Sequence, residues 1–206
     1  MESGENRELL LIGGGEFCAT VIEALAPGPW RAAGVVVSDR RIKEVAGVPV
    51  VGSESSLNLL RKTFSQALIT LGYRAGPRLR NYFYNLLTTC EYQAPAVATP
   101  LANKAPAAEI GPGTLIMPYA RAAERARLGE CCLIGDNCEI GAGARVGAFC
   151  VIEPGAIISE NAIVGDGCRV GARAVIGAGI VLGKRCSIAD GSAVFKDVPP
   201  YKIFRQ

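Results

Sequence analysis

The stretch Ile134-Gly-Asp-Asn-Cys-Glu-Ile140-Gly-Ala-Gly-Ala-Arg-Val146-Gly-Ala-Phe-Cys-Val-Ile152 repeats one pattern every six residues. An aliphatic residue opens each hexad, glycine commonly follows it, and a small residue takes the fifth position. The register continues without a slip from Ile110 to Val198, and fourteen of the fifteen first positions are Ile, Leu or Val. So strict a period predicts stacked coils, in which each hexad forms one face of a prism and successive coils pair as parallel strands.

Each position of the hexad has an expected role. The first-position side chain is expected to point into the prism, and the small fifth-position residue to fill the tapering corner beside it. Glycine takes the second position in nine of fifteen hexads, and we expect it to make the tight corner bend through unusual backbone angles.

The same register gives an interpretation of the cysteines. Five of the eight cysteines occupy the fifth position, which predicts small buried side chains: Cys132, Cys138, Cys150, Cys168 and Cys186. A metal site on Cys131, Cys132 and Cys138 would lack both CxxC spacing and a histidine, so packing is favoured. A nucleophilic Cys131 or Cys150 would need a cationic neighbour that lowers its pKa, and packing again is the better interpretation.

Composition excludes several classes of protein. The net charge is +3, and the basic residues are scattered, which disfavours nucleic-acid and membrane-surface binding. No apolar run is long enough to span a membrane, and the N-terminus lacks the features of a signal peptide, so we expect a cytoplasmic protein. The chain contains no histidine, which excludes a histidine base or metal ligand.

The first half of the chain alternates short apolar strands with helices, which predicts a small parallel sheet of Rossmann-like type. The pattern predicts strands and helices in this order: strand Glu8–Ile12, helix Glu16–Leu25, strand Ala33–Val37, strand Val48–Val51, helix Glu54–Lys62, strand Ala67–Leu71, helix Arg78–Leu87 and strand Ala94–Ala98. The glycines 13–15 follow the first strand, and Asp39 follows the second, an arrangement typical of nucleotide binding. A tight turn without a ligand is the alternative, and these residues alone leave both open.

Three motifs together carry a resemblance: Leu11-Ile-Gly-Gly-Gly15, Gly47-Val-Pro-Val-Val-Gly52 and Lys196-Asp-Val-Pro-Pro200. With the hexads, they resemble the NeuD/PglD family of sugar O- and N-acyltransferases. The resemblance implies a Rossmann-like domain over 1–98, a linker and entry to the β-helix over 99–109, a left-handed parallel β-helix over 110–198 and a C-terminal tail over 199–206. It also implies a homotrimer with neither a permanently bound cofactor nor a metal ion. Acetyl-CoA would be the co-substrate and would lie in the groove between adjacent prisms. The N-terminal domain would hold a UDP- or GDP-linked sugar.

The resemblance also assigns residues. The family's histidine base falls at Ala142 and its acidic partner at Gly143, while a second histidine near the coenzyme falls at Val151. The coenzyme groove would be lined by Val151, Ala172 and Asp190. The nucleotide sugar would be held by six residues, among which the family's Gly-His pair falls at Glu16 and Phe17: Gly15, Glu16, Phe17, Ser38, Asp39 and Gly72.

Another residue is a candidate to replace the missing base. Three hexads make one coil, so Glu124, Ala142 and Glu160 are expected to stack in one column, about 5 Å apart. Glu160, or less favourably Glu124, is then a candidate base. The alternative is that both are exposed corner carboxylates, which is where Glu usually lies.

Three functions stay open on the sequence. The first is an acyl-CoA-dependent acyltransferase acting on a nucleotide-linked amino sugar or similar small acceptor, with altered catalysis. The second is a catalytically inactive binding or scaffolding relative, which the absent histidine favours. The third is an enzyme of another acyl or small-molecule class that uses the same groove.

Overall fold

The computed structural model describes residues 7–39 and 41–205, and these fall into two compact units. The first contains residues 7–75, apart from residue 40, together with 79–95. The second contains residues 76–78 and 96–205.

The described part of the first unit contains a five-stranded sheet in the order β3-β4-β2-β1-β5. Its strands are β1 (Arg7–Ile12), β2 (Trp30–Val36), β3 (Glu44–Val45), β4 (Val48–Gly52) and β5 (Ala67–Ile69). Adjacent strands of this sheet pair in parallel, except β3 and β4, which are antiparallel. The helices are α1 (Glu16–Leu25), α2 (Leu57–Leu60) and α3 (Gly76–Thr89), and 3₁₀ turns cover Glu54–Ser56 and Tyr73–Ala75. The predicted Rossmann-like arrangement is confirmed.

Two local predictions for this unit are wrong. The helix predicted over Glu54–Lys62 is only the 3₁₀ turn followed by the single turn of α2. The strand predicted near Ala94–Ala98 is shorter, at Val97–Ala98, and it pairs with Leu115–Ile116 of the second unit rather than joining the first sheet. An apolar run of this length fits either sheet, so the pattern did not identify its partner.

The second unit is a column of two-residue strands that form three parallel sheets. The strands below are those of the described residues. One sheet contains β7 (Asn103–Lys104), β10 (Arg121–Ala122), β13 (Glu139–Ile140), β16 (Ile157–Ile158), β19 (Val175–Ile176) and β22 (Ala193–Val194). The next contains β8 (Glu109–Ile110), β11 (Arg127–Leu128), β14 (Arg145–Val146), β17 (Ile163–Val164) and β20 (Val181–Leu182). The third contains β6 (Val97–Ala98), β9 (Leu115–Ile116), β12 (Leu133–Ile134), β15 (Val151–Ile152), β18 (Arg169–Val170), β21 (Ser187–Ile188) and β23 (Ile203–Phe204). The predicted left-handed parallel β-helix is confirmed.

Strands pair with the column beyond both ends of the repeat. The segment 99–109, predicted to be a linker and the entry to the β-helix, contains β7 and the first residue of β8, and these strands pair with β10 and β11. The segment 199–206, predicted to be a tail, contains β23, which pairs with β21. The first coil escaped the pattern because Ala98 and Lys104 stand where later coils place a large aliphatic residue.

The first position of the hexad forms the core of the prism. From Ile116 to Val194, every first-position side chain is at most 4% exposed. The alanines and cysteines at the fifth position belong to the same buried cluster, and Thr114 and Ser192 at that position are also buried. The pairing of Ile140 with Ile158, eighteen residues on, shows that three hexads make one coil. The expected roles of these two positions are therefore correct.

The expected role of the second-position glycine is wrong. Positive φ angles occur instead at the fourth position, where every residue from Gly113 to Gly191 has φ between +51° and +72°. Residues as large as Phe149 and Arg173 adopt this left-handed conformation, although it is costly outside glycine. The second position needs glycine because of close stacking: a Cβ on Gly165 would lie 2.6 Å from the backbone nitrogen of Lys184 in the next coil.

Gly165→Ala tests this role. The substitution is expected to lower the free energy of unfolding by about 3 kcal/mol, because the added methyl group meets hydrogen-bonded backbone that cannot move aside. Chemical denaturation followed by circular dichroism measures the change. The matched control is Gly179→Asn, at a fourth position with open space around it where other hexads carry Asn. Equal losses for the two variants would contradict the stacking role.

The cysteines do more than fill space. Cys132, Cys150, Cys168 and Cys186 form one column beyond Thr114, and all are buried. Each side chain donates a hydrogen bond to a backbone carbonyl of the next coil: Thr114 to Gly129 (2.7 Å), Cys132 to Gly147 (3.0 Å), Cys150 to Gly165 (3.2 Å), Cys168 to Gly183 (3.1 Å) and Cys186 to Pro199 (3.2 Å). Hydrogen bonds with the neighbouring thiols, together with burial, raise the pKa of Cys150. This column therefore stabilises the stacking and offers no activated thiol at Cys150.

Candidate functional site

The turn after β1 begins the candidate site in the first unit. Gly13 has φ of +112°, and a Cβ there would lie 2.8 Å from a methyl group of Leu71, so both conformation and space require glycine. The Thr70 hydroxyl donates a 2.8 Å hydrogen bond to the Gly13 carbonyl and so fixes the turn to the end of β5. Gly15 then caps α1 and has open space around it. The turn is held rigidly at the edge where the parallel strands end, which is where open α/β sheets bind ligands.

A cavity of about 450 Å³ lies at this edge of the sheet. Its walls combine the Gly13–Gly15 turn with the ends of β1 and β2, the segment after β4 and one face of α3. The lining consists of Ile12, Gly13, Gly14, Gly15, Val36, Val37, Ser38, Asp39, Ile42, Glu54, Leu71, Leu79, Tyr82 and Phe83. The size and the mainly apolar walls with a few polar groups are those of a small-ligand site.

Three of the six residues predicted to hold the nucleotide sugar line this cavity: Gly15, Ser38 and Asp39. Arg41 donates hydrogen bonds to both oxygens of the Asp39 carboxylate, with Nε 3.0 Å from Oδ1 and Nη2 2.7 Å from Oδ2. These hydrogen bonds hold the pKa of Asp39 below its usual range. The side chain is therefore an oriented carboxylate at the end of β2.

The other three predicted residues lie beside the turn and outside the lining. Glu16 is exposed in the first turn of α1. The Phe17 ring packs edge-on against Tyr73 with 5.2 Å between centroids, and a Cβ on Gly72 would lie 3.1 Å from the Phe17 Cβ. Phe17 and Gly72 therefore pack against each other, which accounts for the small residue at position 72.

The sequence did not predict three residues that line the cavity, Glu54, Tyr82 and Phe83. Tyr82 on α3 hydrogen-bonds through its phenol to the Glu54 carboxylate, and this contact raises the pKa of Tyr82. Phe83 stands beside it, with the two rings edge-on at 5.2 Å. Glu54 comes just after β4, so its place at the carboxyl edge of the sheet was open to prediction. Nothing in the helical pattern of α3 distinguishes Tyr82 from an ordinary surface tyrosine.

The candidate catalytic column lies in the second unit. Strand pairing places Glu124, Ala142 and Glu160 at one corner in successive coils, as predicted. The backbone continues the stack, since the Asn161 amide donates to the Ala142 carbonyl at 3.0 Å and the Gly143 amide donates to the Glu124 carbonyl at 3.0 Å. Both glutamates are exposed, and Ala142 is half-buried between them. The corner can hold a carboxylate one coil from position 142, and whether that carboxylate accepts a proton stays a prediction.

The residues predicted along the coenzyme groove differ in accessibility. The Val151 side chain has no exposed surface, and its place along the coenzyme groove stays a prediction. The Ala172 amide donates to Asp190 Oδ1 at 3.3 Å, and Arg169 also reaches this oxygen, at 3.2 Å. Arg169 further donates to the buried carboxylate of Glu153 at 2.6 Å.

Asp190 repeats an arrangement found elsewhere in the column. At another corner, the Ala148 amide donates to Asp166 Oδ1 at 2.8 Å, again one coil apart. Two occurrences of one arrangement indicate that these aspartates connect successive coils. The network of Glu153, Arg169 and Asp190 is therefore first a stabilising feature of the prism.

Neither a metal site nor a membrane span appears in the described part of the chain. Over residues 7–39 and 41–205, no group of three or more Cys, Asp or Glu side chains is placed to hold a metal ion. Among the described helices, none has both the length and the apolar character needed to cross a bilayer.

Together, the sheet with its glycine turn and the column of hexads define a protein of the hexapeptide-repeat β-helix class with a Rossmann-like N-terminal unit. The family model of the GMPPB C-terminal domain matches residues 102–203. No curated protein is similar enough in sequence to count as a match.

Solved structures match nearly the whole chain. PerB from Caulobacter crescentus, in complex with CoA and GDP-perosamine, is 25% identical and superposes with a TM-score of 0.87 over 94% of this chain and 91% of its own. The acetyltransferase domain of PglB from Neisseria gonorrhoeae FA1090 is 24% identical, with a TM-score of 0.83 and 94% of each chain covered. WeeI from Acinetobacter baumannii AYE is 19% identical, with a TM-score of 0.80 and 94% of each chain covered. These structures share the fold of this chain, which is the fold that the resemblance predicted.

Proposed function

We propose that this protein is an acyl-CoA-dependent acyltransferase, with acetyl-CoA as co-substrate, that acts on a nucleotide-linked amino sugar or a similar small acceptor. The observation that carries the proposal is the shared two-unit architecture with PerB, whose structure contains CoA and GDP-perosamine. The PglB acetyltransferase domain, also similar in fold, is known in complex with acetyl coenzyme A.

The cavity of the first unit is the proposed site for the nucleotide. The Gly13–Gly15 turn and the N-terminus of α1 would face the phosphates, since the backbone amides there point toward an anion. Asp39, oriented by Arg41, would accept hydrogen bonds from the ribose hydroxyls, as an acid at the end of the second strand commonly does. Ser38 lies beside it in the lining.

The proposed reaction is direct transfer. The acceptor's nitrogen or oxygen attacks the thioester carbonyl carbon, the carbon–sulfur bond breaks, and the acceptor's proton passes to a base and then to the departing thiolate. Since the chain contains no histidine, catalysis is altered from that of the family, and Glu160 is the proposed base. We further propose that the chain works as a homotrimer, with the coenzyme between adjacent prisms.

Glu160→Gln tests the base. The variant keeps the size of the side chain and loses its ability to accept a proton. Acetyl transfer is expected to fall about tenfold, which is less than the usual effect of a general base, because Glu160 is exposed to solvent. Release of free CoA from acetyl-CoA in the presence of an amino-sugar nucleotide measures the rate. Glu124→Gln, on the other side of Ala142, is the comparison and is expected to have the smaller effect. Equal rates for wild type and Glu160→Gln would remove Glu160 from the mechanism.

A second candidate function is a catalytically inactive binding protein of the same family. The absence of histidine from the whole chain favours it. Calorimetric titration separates the two: binding of a sugar nucleotide without binding of acetyl-CoA supports the binding protein, and binding of both with turnover supports the enzyme.

A further inference from the structure

The cavity of the first unit is lined by two carboxylates that have different partners. Arg41 holds both oxygens of Asp39, so that charge is neutralised within the pair. Glu54 is bound instead by the neutral phenol of Tyr82. Among the residues that the structure describes, Glu54 forms no ion pair, and no Lys or Arg belongs to the cavity lining. Glu54 therefore presents a negatively charged acceptor to whatever occupies the cavity.

The position of Glu54 is fixed by the backbone around it. The 3₁₀ turn Glu54–Ser56 begins with a capping box, in which the Ser53 and Ser56 side chains reciprocally satisfy the free amides. A Cβ on Gly52 would lie 2.8 Å from the Ser56 Cβ, so the chain enters this turn in close contact. With the Tyr82 phenol holding its far end, Glu54 is anchored at both backbone and carboxylate. Such preorganisation is what selective recognition requires.

The walls near Glu54 suit a flat ring. Phe83 and Tyr82 present aromatic surface, and Ile42 and Leu79 add apolar surface to the same lining. Nucleobases stack on aromatic side chains without preference among bases, because every base has a π face. Discrimination among bases must then come from hydrogen bonds to the base edge.

The Watson–Crick edges of the bases differ in what they offer a carboxylate. An ionised carboxylate only accepts hydrogen bonds, through two adjacent oxygens. Guanine presents two adjacent donors, N1–H and the N2 amino group, which match those oxygens. Uracil has one donor between two acceptors, and adenine and cytosine each place an acceptor beside their amino group. A carboxylate therefore binds guanine in a bidentate manner and meets a repelling oxygen or nitrogen on the others.

We infer that the N-terminal cavity selects guanine nucleotides, with the Glu54 carboxylate, held by Tyr82, reading the N1–H and N2 amino edge. The inference rests on the proposed function, since it names the base of the nucleotide-linked acceptor. It narrows that acceptor from any sugar nucleotide to a guanosine diphosphate sugar.

Calorimetric titration of the full chain with GDP, IDP, UDP and ADP tests the inference. GDP is expected to bind about 10- to 100-fold more tightly than UDP or ADP, the range of one good bidentate contact. IDP keeps N1–H but lacks the N2 amino group, so its affinity is expected to lie between those of GDP and UDP.

Variants assign the preference to its residue. Glu54→Gln places a donor opposite a donor and is expected to weaken GDP about tenfold, while UDP changes less. Tyr82→Phe keeps the ring, removes the bond that holds the carboxylate, and is expected to weaken GDP roughly fivefold. The matched control is Glu23→Gln, on the exposed side of α1 away from the cavity lining, which is expected to leave every affinity unchanged.

Three results would overturn the inference, and they differ in whether they also contradict the proposed function. UDP or ADP binding as tightly as GDP refutes guanine selection and leaves the proposed function in place. A GDP preference that persists in both cavity variants refutes the role of Glu54 alone. Absence of binding by all four nucleotides refutes the inference together with the nucleotide-linked acceptor in the proposed function.

Discussion

Ile158→Ala is expected to lower the free energy of unfolding by about 4 kcal/mol, within the range for large-to-small changes in a rigid core. Ile158 is fully buried at the centre of the prism and stacks between Ile140 and Ile176 in successive coils. The coils are tied to each other by backbone hydrogen bonds, so they cannot collapse into the space that the side chain leaves. Denaturant titration followed by circular dichroism measures the loss.

The chain offers an immediate control for this change. Ile157 precedes Ile158 in the same strand but points outward and is 39% exposed. Ile157→Ala is expected to cost about 1 kcal/mol or less, because exposed side chains contribute little burial. Comparable losses for the two isoleucines would contradict the inward and outward alternation on which the prism depends.

Ala142→His is expected to raise the rate of acetyl transfer about 100-fold, the lower range of general base catalysis. Position 142 is half-buried at the corner where the resemblance predicts the base, and Glu160 lies one coil away, where it is expected to accept a hydrogen bond from the introduced imidazole. Gly143 cannot readily supply the acidic partner, because its φ is +68° and a Cβ there would lie 2.6 Å from Asn161 Oδ1.

The pH profile identifies the cause of such a gain. A neutral imidazole is the active form, so the added rate should rise with pH through about 6.5 and then level off. Ala178→His is the matched control, since it stands in the same column one coil beyond Glu160 and is expected to give no gain. Acetyl-CoA binding without any gain from Ala142→His would argue against an active centre at this corner and favour the binding protein.

The stacked repeat could be predicted in detail because its signal is local. Every hexad carries its own aliphatic residue, and neighbouring coils differ only by a fixed shift of eighteen residues. The first coil and the last strand escaped because Ala98, Lys104 and the segment around Ile203 do not follow the pattern, although they pair with coils that do. Pairing with an existing edge of sheet can impose a strand on residues whose own pattern does not predict one.

The candidate nucleotide site was predicted only in part. Gly15, Ser38 and Asp39 lie directly after strands, and the ends of parallel strands meet at one edge of a sheet, so their convergence follows from topology. Glu54 and Tyr82 are twenty-eight residues apart and meet through the placement of α3, which no local pattern encodes.

The sequence by itself determined the β-helix, its register, the buried cysteine column and the loss of a histidine base, because each is a property of spacing or composition. Only the tertiary structure decided why the second position is glycine, which residues complete the lining of the cavity, and which carboxylate there is paired with a guanidinium. The first two of these features depend on contacts between residues distant along the chain: the backbone of the next coil beside Gly165, and the phenol of Tyr82 against Glu54. The pairing of Arg41 with Asp39 is local in sequence, and the spacing alone did not predict it.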